Sequence, residues 1–206
     1  MLSKRIGHRI DNYYLFVSND GIFNWFDLYG NHIKDPGVLK EIKHRYIPQN
    51  IIKCVIPNSV MNIMMDALSY CKSLKEIIIP DNVSQIASQA FRSCESLKEI
   101  TIPDNVTYIG DYVFYECKSL TSVNIPNGVT SINVGTFCEC ESLTSITIPD
   151  TVTYIGKDAF YKCKSLSSIT MSDNVTNIGN WAFCFCGSLT SITIPNNVVS
   201  IGDETF

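Results

Sequence analysis

Histidine is nearly missing from this chain, and its placement narrows the chemistry open to the rest. The three copies, His8, His32 and His44, all fall within the first 44 residues of 206. Residues 45–206 have serine and cysteine in plenty but no imidazole to activate either as a nucleophile. No other distinctive base stands near them, so no catalytic residue is assigned and the chain is read as no enzyme. Basic charge is short as well. Lys and Arg total 16 against 20 Asp and Glu, a formal net charge of -4, where a nucleic-acid binder would show a basic stripe. No apolar run is long enough to span a membrane. The opening MLSKRIGHRIDNYYLF has basic residues but no uninterrupted apolar stretch, and is read as carrying no secretory signal.

What is abundant is repetition. Cysteine, a spacer and Ser-Leu recur as CKSL, CESL, CKSL, CESL and CKSL, with Cys71, Cys94, Cys117, Cys140 and Cys163 each 23 residues apart. Pro80, Pro103, Pro126 and Pro149 keep the same period, which skips Ser172 and resumes at Pro195. A fixed period of this length marks a solenoid, whose coils bury their apolar side only against neighbours. From Ile51 a degenerate coil carries Cys54 and Ile56 where Ile77 and Ile79 stand later, with Met64, Met65 and Leu68 also replacing the regular residues. Five regular coils begin at Leu74, Leu97, Leu120, Leu143 and Leu166, and a partial one runs from Leu189 to Phe206.

Within one coil, Leu97, Ile100 and Ile102 alternate with Glu99 and Thr101, so a short strand points Ile100 and Ile102 inward. Pro103, Asp104 and Asn105 make a corner, because proline presets φ and Asp and Asn suit turns. Val106 and Ile109 turn inward again, and Gly110 ends that leg. Val113, Phe114 and Cys117 have a spacing that fits about one helical turn. Stacked coils then form a parallel sheet on one face and short or helical turns on the other. Six of the nine cysteines share one place in the repeat, so they are expected to be small, reduced, buried core residues.

Residues 1–50 stand outside the repeat. NYYLFV, SNDG and IFNWFDLYG read as a β-hairpin, KDPG breaks the chain, and VLKEIKHRYI reads as a short helix. This segment is expected to cap one open end of the solenoid formed by 51–206, with a separate binding module as the alternative.

The spacing of Leu143, Ile146 and Ile148, and the whole unit SLTSITIPDTVTYIGKDAFYKC, resemble the BspA-like leucine-rich repeats of bacterial and protist surface proteins. The resemblance covers about 51–206. It implies a protein-binding or adhesive scaffold with no chemistry of its own and no cofactor. It also implies a cell-surface setting, whereas the missing signal and the odd cysteine count favour the cytoplasm.

Several positions invite a functional reading. Cys138-Glu-Cys140 and Cys184-Phe-Cys186 suggest a metal, but Cys138 and Cys184 lie two coils apart, roughly 10 Å by strand spacing, too far to share one ion. Asn82, Asn105 and Asn174 fit the glycosylation pattern, yet all three fall on the same corner, where turn chemistry accounts for them. The sheet's outer face is a lawn of small hydroxyls such as Thr147 and Thr170, which keeps a surface-binding role toward ice or glycan as the alternative function. Aromatic residues gather on the turn-rich side, where Tyr112, Tyr115, Tyr161 and Trp181 are the candidate contacts for a protein partner. The partial last coil could also associate with another copy.

Overall fold

Alternation sets the core of the repeat. In the computed structural model, residues 49–206 are described in full, preceded by the backbones of strands His8–Ile10, Tyr13–Val17, Phe23–Asp27, His32–Ile33 and Glu41–Ile42. Strand Glu76–Ile78 runs exposed, buried, exposed, and Ser145–Thr147 repeats that pattern. Strands of this leg pair in parallel and in register with the repeat, so that Lys53 meets Glu76, Glu99 meets Ser122 and Thr147 meets Thr170. Leu97, Ile100, Ile102, Val106, Ile109, Val113, Phe114 and Cys117 are all buried, as the alternation requires.

The second leg forms a sheet of its own. Asn62–Ile63, Gln85–Ile86 and Tyr108–Ile109 are joined in parallel, and Ser131–Ile132, Tyr154–Ile155, Asn177–Ile178 and Ser200–Ile201 make a second set. These two-residue strands lie just before Gly110 and its equivalents, a place where the sequence pattern shows only two inward residues.

The turn-rich side departs from the expected helical turn, and no helix occurs among the described residues. Around Val113, Phe114 and Cys117 there are instead two tight turns, closed by Tyr115 N–H to Tyr112 O at 3.2 Å and Cys117 N–H to Phe114 O at 3.0 Å. Tyr112 and Glu116 sit at φ 56° and 57°, and the same two places in every described coil are left-handed. Asp66, Gln89, Asp158, Trp181 and Glu204 fill the first row alongside Gly135; Tyr70, Ser93, Glu139, Lys162 and Phe185 fill the second. None is β-branched, as left-handed backbone demands. This conformation turns alternate N–H groups toward the next coil. Tyr112, Phe114 and Glu116 donate to Val134, Thr136 and Cys138 at 2.8–2.9 Å, a third backbone ladder.

Side chains reinforce the ladders from inside. The rings of Phe91, Phe114, Phe137, Phe160, Phe183 and Phe206 stack at centroid distances of 5.3–5.9 Å and 4–12° between planes. The thiols of Cys117, Cys140, Cys163 and Cys186 donate back to the carbonyl of such a Phe in the preceding coil, as Cys117 does to Phe91 and Cys140 to Phe114, at 3.2 and 3.1 Å. Burial pushes the Cys117 thiol up to about 12, so it stays protonated and can donate. At the corners, Asn105 and Asn174 donate Nδ2 to Asp81 O and Asp150 O, both at 2.8 Å. The glycosylation-like asparagines thus tie one coil to the one before.

Ahead of the solenoid, Tyr13–Val17 and Phe23–Asp27 pair antiparallel, the hairpin the sequence suggests, within a sheet that includes His8–Ile10 and His32–Ile33. The connecting SNDG lies outside the described residues. The short helix expected in VLKEIKHRYI is contradicted at its centre. Glu41–Ile42 is a strand and pairs with Asn62–Ile63 of the first coil, because an adjacent ordered strand rewards the extended form over a helix of a few turns.

Candidate functional site

Two of the aromatic side chains of the turn-rich edge, Trp181 and Phe185, stand in the left-handed rows. Trp181, at φ 58°, is 36% exposed, and Phe185, at φ 60°, is 63% exposed. Tyr115 and Tyr161 occupy the place just after the buried ring and are half-buried. Between them lies a groove of about 380 Å³, walled by Tyr115, Tyr161, Trp181 and Phe185 and rimmed by Glu139, Asp158 and Glu204, with Cys138 and Cys184 also lining it.

Three of the four aromatic residues singled out from sequence therefore meet in one groove. Tyr112 does not line it. Its ring lies over Gly135, where an added Cβ would collide with the ring, and it meets Tyr115 edge-on at 5.9 Å. Gly135 is thus needed for close approach as well as for its φ of 59°. Phe185 is not picked out by the repeat pattern, although an aromatic residue next to Cys186 in the regular CxSL place is a visible departure from it. It packs edge-on against Tyr161 at 5.5 Å.

Charges are interleaved with these rings. Lys162 donates to Glu139 at 2.9 Å and lies 5.2 Å from the centre of Tyr161. Lys157 lies 4.6 Å from the centre of Trp181 and 3.9 Å from Asp158. Arg92 stands 5.4 Å from Tyr70 and 5.2 Å from Tyr115. Burial holds the Asp158 carboxyl above its ordinary range, only partly offset by Lys157. Burial also pushes the Cys138 thiol up to about 12, which leaves it a neutral wall and a poor nucleophile or metal ligand. Among the described residues no group of three or more His, Cys, Asp or Glu is arranged to hold a metal.

The opposite face is chemically blander. A groove of about 590 Å³ crosses it, lined in part by Ser122, Asn124, Ser145, Thr147 and Thr170. Hydroxyls in the neighbouring row are spent within the stack: Thr121 donates to Lys98 O at 3.0 Å and Ser167 to Thr144 O at 3.2 Å.

Comparison with known proteins agrees with this architecture. A model of the BspA type leucine rich repeat region, with 6 copies, matches residues 43–153 and 130–206. A leucine-rich repeat protein from Eubacterium ventriosum is similar in structure, with 25% identity and a TM-score of 0.74 over 95% of this chain and 49% of its own. Another from Bacteroides ovatus shares 23% identity at a TM-score of 0.66, over 95% of this chain and 61% of its own. The T. pallidum leucine-rich repeat protein gives the same identity and TM-score over 81% of its own length. The chain spans about half the length of the Eubacterium ventriosum protein. A search of curated proteins finds no match. With the family model running through every coil from the first to the last, the chain belongs to the BspA-type leucine-rich repeat family.

Proposed function

We propose that the chain is a non-enzymatic scaffold for protein binding or adhesion, and that its partner docks on the aromatic edge at Tyr115, Tyr161 and Trp181, with Phe185 alongside and Tyr112 holding Tyr115 in place. The observation that carries this reading is the groove formed by four aromatic side chains on one edge. Large rings with few rotatable bonds make strong anchors, whereas small hydroxyls exchange one water bond for another. Residues 1–50 serve as the cap of the solenoid in this reading. Supporting it, Phe23–Asp27 lies beside Lys53–Val55, and Glu41–Ile42 adds a strand to the first coil.

A partner recovered with the intact chain and identified by mass spectrometry supplies the test. Tyr115→Ser with Tyr161→Ser is expected to lower its affinity at least about tenfold, the loss of one or two anchors. Thr147→Lys with Thr170→Lys, on the sheet face, is expected to leave binding unchanged. Loss of binding in the threonine variant alone, with both proteins folded, would move the site to the sheet. The paired rows at Thr147 and Thr170 make an ice or glycan surface the second reading, which thermal hysteresis and a glycan array address directly.

A further inference from the structure

Resting on that reading of the edge, we infer that the groove takes a cationic side chain, a lysine or arginine presented by the partner polypeptide. The rings and carboxylates that line it form an aromatic wall with an acidic rim, and their chemistry matches a cation on both counts. The chain's own cations already use these rings, although none of the three lines the groove itself. Arg92 stands over Tyr115, Lys162 over Tyr161 and Lys157 over Trp181, at 5.2, 5.2 and 4.6 Å from the ring centres. Each of the three partner-contact rings in the groove therefore has a positive charge near its face.

Those internal cations do not pair with every carboxylate of the rim. Glu139, Asp158 and Glu204 line the groove, while two lysines, Lys157 and Lys162, approach these carboxylates. Arg92 is instead bonded to Gln89 at 2.9 Å, and Glu204 has no ion-pair partner among the described residues. Glu139 is well matched by Lys162 at 2.9 Å, but Asp158 has only Lys157 at 3.9 Å. The Asp158 side chain is 17% exposed, and burial already disfavours its charged form. A guanidinium or ammonium entering beside it relieves that penalty, while an acidic ligand would deepen it. Lys157 is half-exposed, long and flexible, so it is an internal competitor that an incoming cation displaces from Trp181 and Asp158.

The test uses the intact chain and three synthetic peptides of sequence Gly-Ser-X-Gly-X-Ser-Gly, where X is arginine, its uncharged twin citrulline, or glutamate. Binding is read from the indole N–H signal of Trp181, assigned with Trp181→Phe, and from calorimetry. The arginine peptide is expected to shift that signal and to bind at least about tenfold more tightly than the citrulline peptide. Asp158→Asn is expected to weaken it about fivefold or more, and Lys157→Gln to strengthen it. A purely structural role for Lys157 would not produce that gain. Equal binding of the citrulline peptide, an unchanged affinity in Asp158→Asn, or a Trp181 signal unmoved by the arginine peptide would each overturn the inference. Equal binding of all three peptides at Trp181, abolished by Tyr161→Ser, would overturn the cationic preference while keeping the edge as the docking surface. The edge itself falls only if the sheet-face variant alone loses the natural partner.

Discussion

At the residue scale, the two left-handed rows explain more than the hydrophobic positions do. Left-handed backbone costs roughly 1–2 kcal/mol for a residue with a Cβ, yet twelve such residues among those described accept it. With it goes a run of N–H groups, those of Tyr112, Phe114 and Glu116 among them, aimed at the next coil. Asp66 comes near to isolating this effect, because it is a small, half-buried residue at φ 57°. Asp66→Gly is expected to leave stability unchanged or raise it by up to about 1 kcal/mol, whereas Asp66→Val lowers it by about 1–2 kcal/mol. Urea denaturation of the two variants checks both signs; a valine variant as stable as the parent would show that the left-handed row is not held. The regular cysteines follow a related logic. A small group that donates to the Phe carbonyl of the preceding coil must fit beside a stacked ring, and a buried thiol kept protonated does so.

At the scale of the element, one junction differs from the others. Between the third coil (97–119) and the fourth (120–142), the second-leg sheet is interrupted, with Tyr108–Ile109 ending one set and Ser131–Ile132 starting the next. Two asparagine side chains bridge that junction. Asn124 accepts from Ile102 N–H at 2.8 Å and donates to Ile102 O at 2.7 Å. Asn133, in the place that is Gly110 or Gly156 elsewhere, donates to Ile109 O at 2.6 Å. Asn124→Ala strands both backbone groups of Ile102 and is expected to cost about 1–3 kcal/mol, while Ser145→Ala on the same face costs less than about 0.5 kcal/mol. Equal melting of the two would remove the bridging role. The coil's period, inward residues and corners could be read from the chain because they depend on one coil at a time. The seam, the second sheet and the groove depend on which residues stand above one another. Even so, signals were present: the CKSL and CESL alternation stacks Lys72 on Glu95 at 2.8 Å and Glu141 on Lys164 at 3.0 Å. Of the groove's carboxylates, Glu139 gives the same signal, one period before Lys162, whereas Asp158 and Glu204 share a row with Gln89, Tyr112, Gly135 and Trp181 and give none.

At the scale of the whole molecule, stability is a sum over neighbours. Phe114 is stacked on both faces by Phe91 and Phe137, whereas Phe206 stacks on Phe183 and is 57% exposed. Phe114→Ala is expected to cost about 3–5 kcal/mol, and Phe206→Ala roughly half of that or less. Equal costs in thermal or urea unfolding would contradict a nearest-neighbour stack. The three backbone ladders carry a further consequence. On the turn-rich edge, Tyr112, Phe114 and Glu116 send their N–H groups forward to the following coil, while Thr107, Gly110 and Thr121 send theirs back to Ser84, Ile86 and Lys98. Peptide dipoles along the stack therefore oppose one another, unlike those of an α-helix, which add head to tail. An array of such coils can lengthen without building up opposite charge at its two poles, so its electrical character at any point is set by local side chains and not by its length.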